Sequence, residues 1–405
     1  MTSTLPSQQA RAAGRPRFGL AWVTWRQQRA TLLTLAGLAG AVAAVMLAAG
    51  LRGHAIYPAF VENHCLQSAG PGVTEVSSAP ICRRLGSEFP GIGGPFYLLS
   101  GHTAIVMNGS FLNSYPTDVT LALLALFLVT GMFLGAPLLG RELGQGTFRF
   151  AWTQGTSPLR WCVTKLLLLG GAAMAAGAGL GALGAWSLQP FNLTGGGSSR
   201  WQDGQFETTV LTAAAWAGLA FMLGAFSGTW LRRTVPAMAA TAAGTGALLV
   251  ATFWKLNALL LGVHPLVTQD NAQASAAGLA TTAAPVWLLD VPLGASSGPV
   301  HPGPPGSLLL RGWYAGPDGH RLTGAAAEAL INAYQRPSTG RNWPEWLSRH
   351  HDSFLVSYQP AGRYWIFQGV EAGALVLLAL LLGAATVWLV RSRGARIRGR
   401  RPGPG

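Results

Sequence analysis

Lysine is nearly absent. The 405 residues include 28 Lys and Arg, and only Lys165 and Lys255 are lysine. This excludes a phosphate-cradling G-x-x-x-x-G-K-[ST] loop, which needs a lysine followed by Ser or Thr. Leu166 and Leu256 follow the two lysines instead. Charged residues make up only 10% of the chain, against 50% hydrophobic, so a soluble globule of this length is excluded. No H-E-x-x-H is present, which removes the commonest zinc-peptidase signature. One G-x-S-x-G, Gly294 to Gly298, sits in a Pro/Gly-rich stretch and lacks the strand and helix that a nucleophile elbow requires. The net charge of +14 would suit nucleic acid in a soluble chain, but no groove-reading motif accompanies it. Nucleic acid is therefore not an expected partner.

In place of charge the chain has six long apolar stretches: Thr31–Leu51, Val119–Gly140, Leu166–Leu188, Thr208–Leu231, Pro236–Leu261 and Ile366–Val390. Each is 21 to 26 residues long, and a helix needs about 20 to cross the hydrocarbon of a bilayer. The first four carry no charge; the fifth holds Lys255 and the sixth Glu371. The expected fold is an all-α polytopic membrane protein with six transmembrane helices. The first run exceeds the ~7–15-residue core of a signal peptide, so an uncleaved anchor is expected. Cleavage at the small residues Ala48-Ala49-Gly50 is the other reading.

The intervening segments sort by sign. With the N-terminus inside, segments 1–30, 141–165, 232–235 and 391–405 hold 17 Lys/Arg and one acid, Glu142. The rest of the chain holds 11 Lys/Arg against 13 acids. That is the positive-inside pattern, and it places both termini in the cytoplasm. The basic clusters lie beside the membrane, where anionic lipid is the natural partner.

Segment by segment, residues 1–16 read as a basic tail. Phe18, Trp22 and Trp25 then recur at helical spacing beside Arg26, as an interfacial amphipathic helix or an extension of span one, two readings that can hold together. The outer loop 52–118 contains Cys65 and Cys82. In an oxidising compartment the two could form a disulfide worth ~3 kcal/mol, or remain free thiols. Segment 262–365, about 100 residues, is extracytoplasmic. It reads as loop at first, then a helix over 324–334 opening after Thr323. His350-His351-Asp352 could ligate a metal, but neighbours on one backbone rarely converge on an ion, so solvated histidines are expected and no metal site is assigned. Lys255 and Glu371 lie at similar depth from the outer face. They would either pair within the membrane or snorkel separately to its surface. Small residues, including Gly177 and Gly181 in span three, suit close helix packing.

The segment between spans two and three is the most informative. It runs Arg141-Glu142-Leu143-Gly144-Gln145-Gly146-Thr147-Phe148-Arg149, then an aromatic stretch, then Ser157-Pro158-Leu159-Arg160 and Lys165. Ser157 as cap with Pro158 in the first turn is a strong helix start. A short amphipathic helix on the cytoplasmic face can dock into a groove on a soluble partner.

R-E-x-x-x-G-T, then Ser157-Pro158 and a lysine entering the next span, resembles the coupling region of bacterial ABC-type export permeases. Thr24-Trp25-Arg26-Gln27-Gln28-Arg29 and the stretch Tyr358-Gln359-Pro360…Arg363-Tyr364-Trp365…Gln368…Glu371 resemble the actinobacterial branch of that group. The resemblance implies the permease subunit of an ATP-driven exporter in the bacterial plasma membrane, paired with a second permease copy or homologue. It also implies a separate ATP-binding cassette subunit that carries ATP and Mg, so this chain holds no cofactor and is not itself an enzyme. Arg141, Glu142, Gly146, Thr147 and Arg149 would then contact the ATPase, and the Phe18–Arg29 helix would lie at the membrane interface. The competing reading is a membrane sensor or assembly factor working through segment 262–365. A membrane-embedded enzyme would need clustered polar residues within the spans, where the sequence offers only Lys255 and Glu371.

Overall fold

The structure is a computed structural model. It describes residues 19–70, 73–76, 79–88, 115–145, 157–193, 201, 204–252, 265–269, 308–322, 325–326, 329–330 and 349–398. Six helices among them are long and apolar enough to cross a membrane, which makes the chain an all-α polytopic membrane protein in its spanning part.

Helix α1, Gly19–Glu62, is unbroken over 44 residues. At ~1.5 Å per residue it is about twice as long as the hydrocarbon core is thick. The Trp22–Arg26 segment is continuous with the first span, because nothing interrupts the backbone between them. The end of α1 leads into a hairpin, β1 Leu66–Gly70 and β2 Val73–Val76, and then α2, Pro80–Glu88. A disulfide joins Cys65 to Cys82, tying α2 back to the end of α1. Both cysteines are fully buried.

The second span is α3, Tyr115–Thr130, a π-helical turn Gly131–Gly135, and α4, Ala136–Gln145, in one rod. Next come α5, Pro158–Leu193, α6, Val210–Leu231, and α7, Thr234–Ala251. Ser157 caps α5 by accepting the Arg160 amide at 3.2 Å. Between α6 and α7 the chain turns on two residues. Arg232 takes a left-handed φ of 55° and returns its amide to the Gly228 carbonyl, a helix-ending geometry more usual for glycine. The last helix, α8, runs Tyr364–Arg398 after a short 3-10 turn, Ala361–Arg363.

Helix α6 is the centre of the bundle and packs on α5, α8, α4 and α7. Of its central residues 67% are buried, against 11% for α1 and 17% for α7. Composition makes this possible: Ala213, Ala217, Ala220, Gly224, Ala225 and Gly228 present almost no side chain. Small residues let backbones touch in lipid, where no hydrophobic force draws helices together. On the second span, a Cβ added to Gly131 would come within 2.5 Å of the Ala220 carbonyl oxygen, and one on Gly135 within 2.5 Å of that of Phe221. Gly140 meets Gly228, and Gly144 meets the Arg232 carbonyl. The column Gly131, Gly135, Gly140, Gly144 thus runs parallel to Ala220, Gly224, Gly228, Arg232. The second span uses one more residue over this distance, and the π turn supplies it. Gly177 and Gly181 of α5 pack on the other side of α6, against Ala213.

Segment 262–365 is not only loop and helix. It contains an antiparallel sheet of β3, Leu266–Gln269, β5, Ser353–Gln359, and β4, Leu308–Ala315, with β5 in the middle. The strands are short, widely separated in sequence and lack clean alternation, so local pattern does not reveal their pairing. β5 leads straight into the turn before α8, so the sheet is joined directly to the start of the last span. Of the helix expected over 324–334, only 325–326 and 329–330 are described, and these are helical.

The glycine seam predicts a sharp contrast. Gly224→Val or Gly228→Val should destabilise the purified protein by about 1–3 kcal/mol or more, since each new side chain meets backbone. Gly246→Ala, with nothing within 4 Å of its added Cβ, should leave the thermal unfolding midpoint unchanged.

Candidate functional site

Two polar clusters stand out, one at each end of the bundle. The first lies at the arginine-rich end, where α1 and α5 begin and α4 finishes. Lys165, one turn into α5 beyond Trp161, is 3% exposed. A buried ammonium needs a partner. Its Nζ lies 2.5 Å from Glu142 Oε1 on α4 and donates to Gln27 Oε1 on α1 at 3.1 Å. The Trp161 ring, four residues earlier on the same helix face, sits 4.8 Å from the same nitrogen as a cation-π floor. One side chain therefore ties three helices together where the 141–165 segment begins and ends.

Glu142 is directed inward to Lys165. Arg141, the next residue on a 100° helical step, is exposed. Gly146, Thr147 and Arg149 lie outside the described residues, as does the short helix expected among them. Trp22 and Trp25 are more than half exposed, and the Arg26 guanidinium covers the Trp22 ring at 5.4 Å. Phe18 lies outside the described residues.

The second cluster lies where α6 and α8 begin. Gln368 is fully buried. Its Oε1 accepts from Thr209 at 2.7 Å and from Thr212 at 3.2 Å, and its Nε2 donates to the Phe206 carbonyl at 2.6 Å. Every polar atom of that amide is engaged, which locks α8 to the turn before α6. Aromatic packing reinforces the joint: Trp201 and Phe206 meet the Tyr364 ring edge-on at 5.0 and 5.5 Å. Nearby, Glu207 accepts the Gly204 amide at 2.5 Å.

One turn further along α8 lies Glu371, 1% exposed. Neither of its carboxyl oxygens has a hydrogen-bond partner among the described residues, and the same holds for Trp216 Nε1. The Glu207 carboxyl and the Trp216 indole lie close to Glu371. Lys255, the partner expected for Glu371, lies outside the described residues. A buried acid at this depth is costly, and such residues usually have a function.

Elsewhere, no group of three His, Cys, Asp or Glu converges as a metal site among the described residues. Burial raises the Asp352 carboxyl above the usual carboxylate range, while His350 and His351 beside it pull it back.

Residues 104–256 match the family model described as ABC-2 membrane transporter related. The matched stretch contains the second to fifth spans, the whole glycine seam and the Arg141–Lys165 segment. It leaves out α1, the three-stranded sheet and α8. No curated protein and no solved structure matches the chain.

The Lys165–Glu142 pair was partly visible in advance, since these are the only lysine and the only acid in the basic segments. The Gln368 joint had a fainter signal: Thr209/Thr212 and Gln368/Glu371 each recur at a three-residue helical spacing. That the two pairs face one another is a tertiary fact.

A double-mutant cycle tests the first cluster. Glu142→Ala alone should lower stability by about 3 kcal/mol, because it strands a buried ammonium. Adding Lys165→Met should recover most of that loss. Destabilisation in the double variant equal to the sum for Glu142→Ala and Lys165→Met made singly would show that the pair carries no coupling.

Proposed function

We propose that this chain is the membrane permease subunit of an ATP-driven ABC-type exporter, and that a separate ATP-binding subunit docks on its arginine-rich end. The observation that carries this reading is the ABC-2 membrane transporter related match across 104–256. Two features of the chain agree with it: the sequence has no phosphate-cradling lysine motif, and Arg141 stands exposed at the end of α4. The arginine-rich end faces the cytoplasm of a bacterial cell, and the sheet-bearing end faces outward. A second permease copy or homologue completes the pathway.

In this reading the ATPase engages Arg141 and the Gly146, Thr147 and Arg149 region. Glu142 has a different role from the one its motif position implies: through Lys165 and Gln27 it transmits displacement of the docking segment to α5 and α1. The glycine seam passes the same displacement from α4 to α6, because two backbones in contact move together. ATP and Mg belong to the partner, and this chain supplies the pathway and the lever.

Purification in mild detergent with an ATPase assay on the eluate tests the proposal. An ATP-binding subunit should co-purify and be lost with Arg141→Glu or Gly146→Trp, while the unfolding midpoint of the chain stays within about 2 °C of wild type, as expected for a surface change. A clean preparation without ATPase activity from its natural host would sink the proposal. It would shift attention to a sensor or assembly role for segment 262–365.

A further inference from the structure

Helix α6 is cut to the thickness of a membrane. Its 22 residues rise about 33 Å, close to the ~30 Å of hydrocarbon, whereas α1, α5 and α8 run to 44, 36 and 35 residues. The two-residue turn that follows it, Arg232-Arg233, therefore lies at headgroup depth. Its flanks agree with that depth. Trp230 is 62% exposed and Val235 76% exposed, and such apolar side chains are costly in water and at home in lipid. The Trp230 ring rests against Phe226 one turn earlier, with centroids 6.0 Å apart.

Both arginines are exposed, and neither has an ion pair or a side-chain hydrogen bond among the described residues. Their counter-charge is not supplied nearby. No acid occurs between Glu207 and Asp270, and the one acid of the arginine-rich segments, Glu142, is taken by Lys165. The backbone adds a second observation. Arg232 holds a φ of 55°, where glycine would be at ease, so a long side chain is kept there at a conformational cost. Strained residues of this kind collect at binding sites. A guanidinium grips a phosphate through two parallel hydrogen bonds, which a simple point charge cannot do. We propose that the Arg232-Arg233 turn binds the phosphate of an anionic phospholipid in the adjoining leaflet, with the acyl chains lying against Trp230 and Val235. Gly144 packs on the Arg232 carbonyl, so a lipid held here also braces the end of the second span, where the 141–165 segment begins. Binding requires no ATPase, and the test uses the chain alone.

The chain is reconstituted in nanodiscs of phosphatidylcholine carrying a trace of photoreactive phosphatidylglycerol, or of photoreactive phosphatidylcholine as the neutral control. Phosphatidylglycerol should label Trp230, Val235 and their neighbours well above the control, be displaced by unlabelled phosphatidylglycerol, and resist inorganic phosphate. Arg232→Gly and Arg233→Gln should each lower that labelling about five-fold, the preference that one cationic side chain confers beside an anionic surface. Because glycine suits the left-handed backbone, Arg232→Gly should keep or raise the unfolding midpoint in pure phosphatidylcholine, which a merely structural arginine would not allow. Arg391→Gln, at another exposed arginine of the same end, should leave labelling of the turn unchanged. Equal labelling by the two lipids, or a loss in Arg391→Gln as large as that at the turn, would reduce the effect to general surface charge and overturn the proposal. Displacement by inorganic phosphate would make the turn a site for free anions and overturn the assignment to lipid.

Discussion

Between Gly131 and Gly144 the second span runs along the fourth with backbone against backbone, and the rest of the bundle is arranged around that contact. It exists because α6 has almost no side chain where it is touched: Ala220, Gly224 and Gly228 recur every four residues. Backbone contact of this kind replaces the hydrophobic force that water would supply, since lipid tails and leucine are equally apolar. A four-residue repeat alone would drift out of register with its partner. The π turn at Gly131–Gly135 corrects the drift by giving the second span one extra residue. With α6 fixed in this way, α5 closes on its second face through Gly177 and Gly181, and α8 on another.

The two polar clusters sit at the ends of this apolar contact and have different characters. At the arginine-rich end the cluster is satisfied: a cation, an anion, an amide and an indole face are matched across three helices. Such a joint resists local opening and passes force. At the other end Gln368 is fully satisfied, but Glu371, Trp216 and Gln205 retain open polar atoms among the described residues.

Much of this was readable in the residues. Six apolar stretches predicted six helices, because a bilayer imposes a length that no soluble core requires. Ser157-Pro158 announced the start of α5. Other expectations were reshaped. The aromatic segment at Trp22 and Trp25 turned out to continue α1, since nothing in Gln27 to Leu33 breaks a helix. Glu142, in the motif read as meeting a partner, also pairs with Lys165. The motif records position along the chain, whereas the direction of a side chain depends on the helical step and on the helices packed nearby. The sheet in 262–365 was missed because Leu266–Gln269 must find Ser353–Gln359 across more than eighty residues, a pairing that no local window contains.

The sequence by itself determined that the chain crosses a membrane, roughly where it does so, and that it carries no phosphate-cradling loop. Hydrocarbon thickness, charge sorting and motif chemistry act on local stretches and need no knowledge of neighbours. Tertiary structure alone decided which glycines touch, which acid meets Lys165, and that Cys65 joins Cys82. Each of these depends on two segments meeting, and where they meet is set by helix register and by backbones close enough to touch.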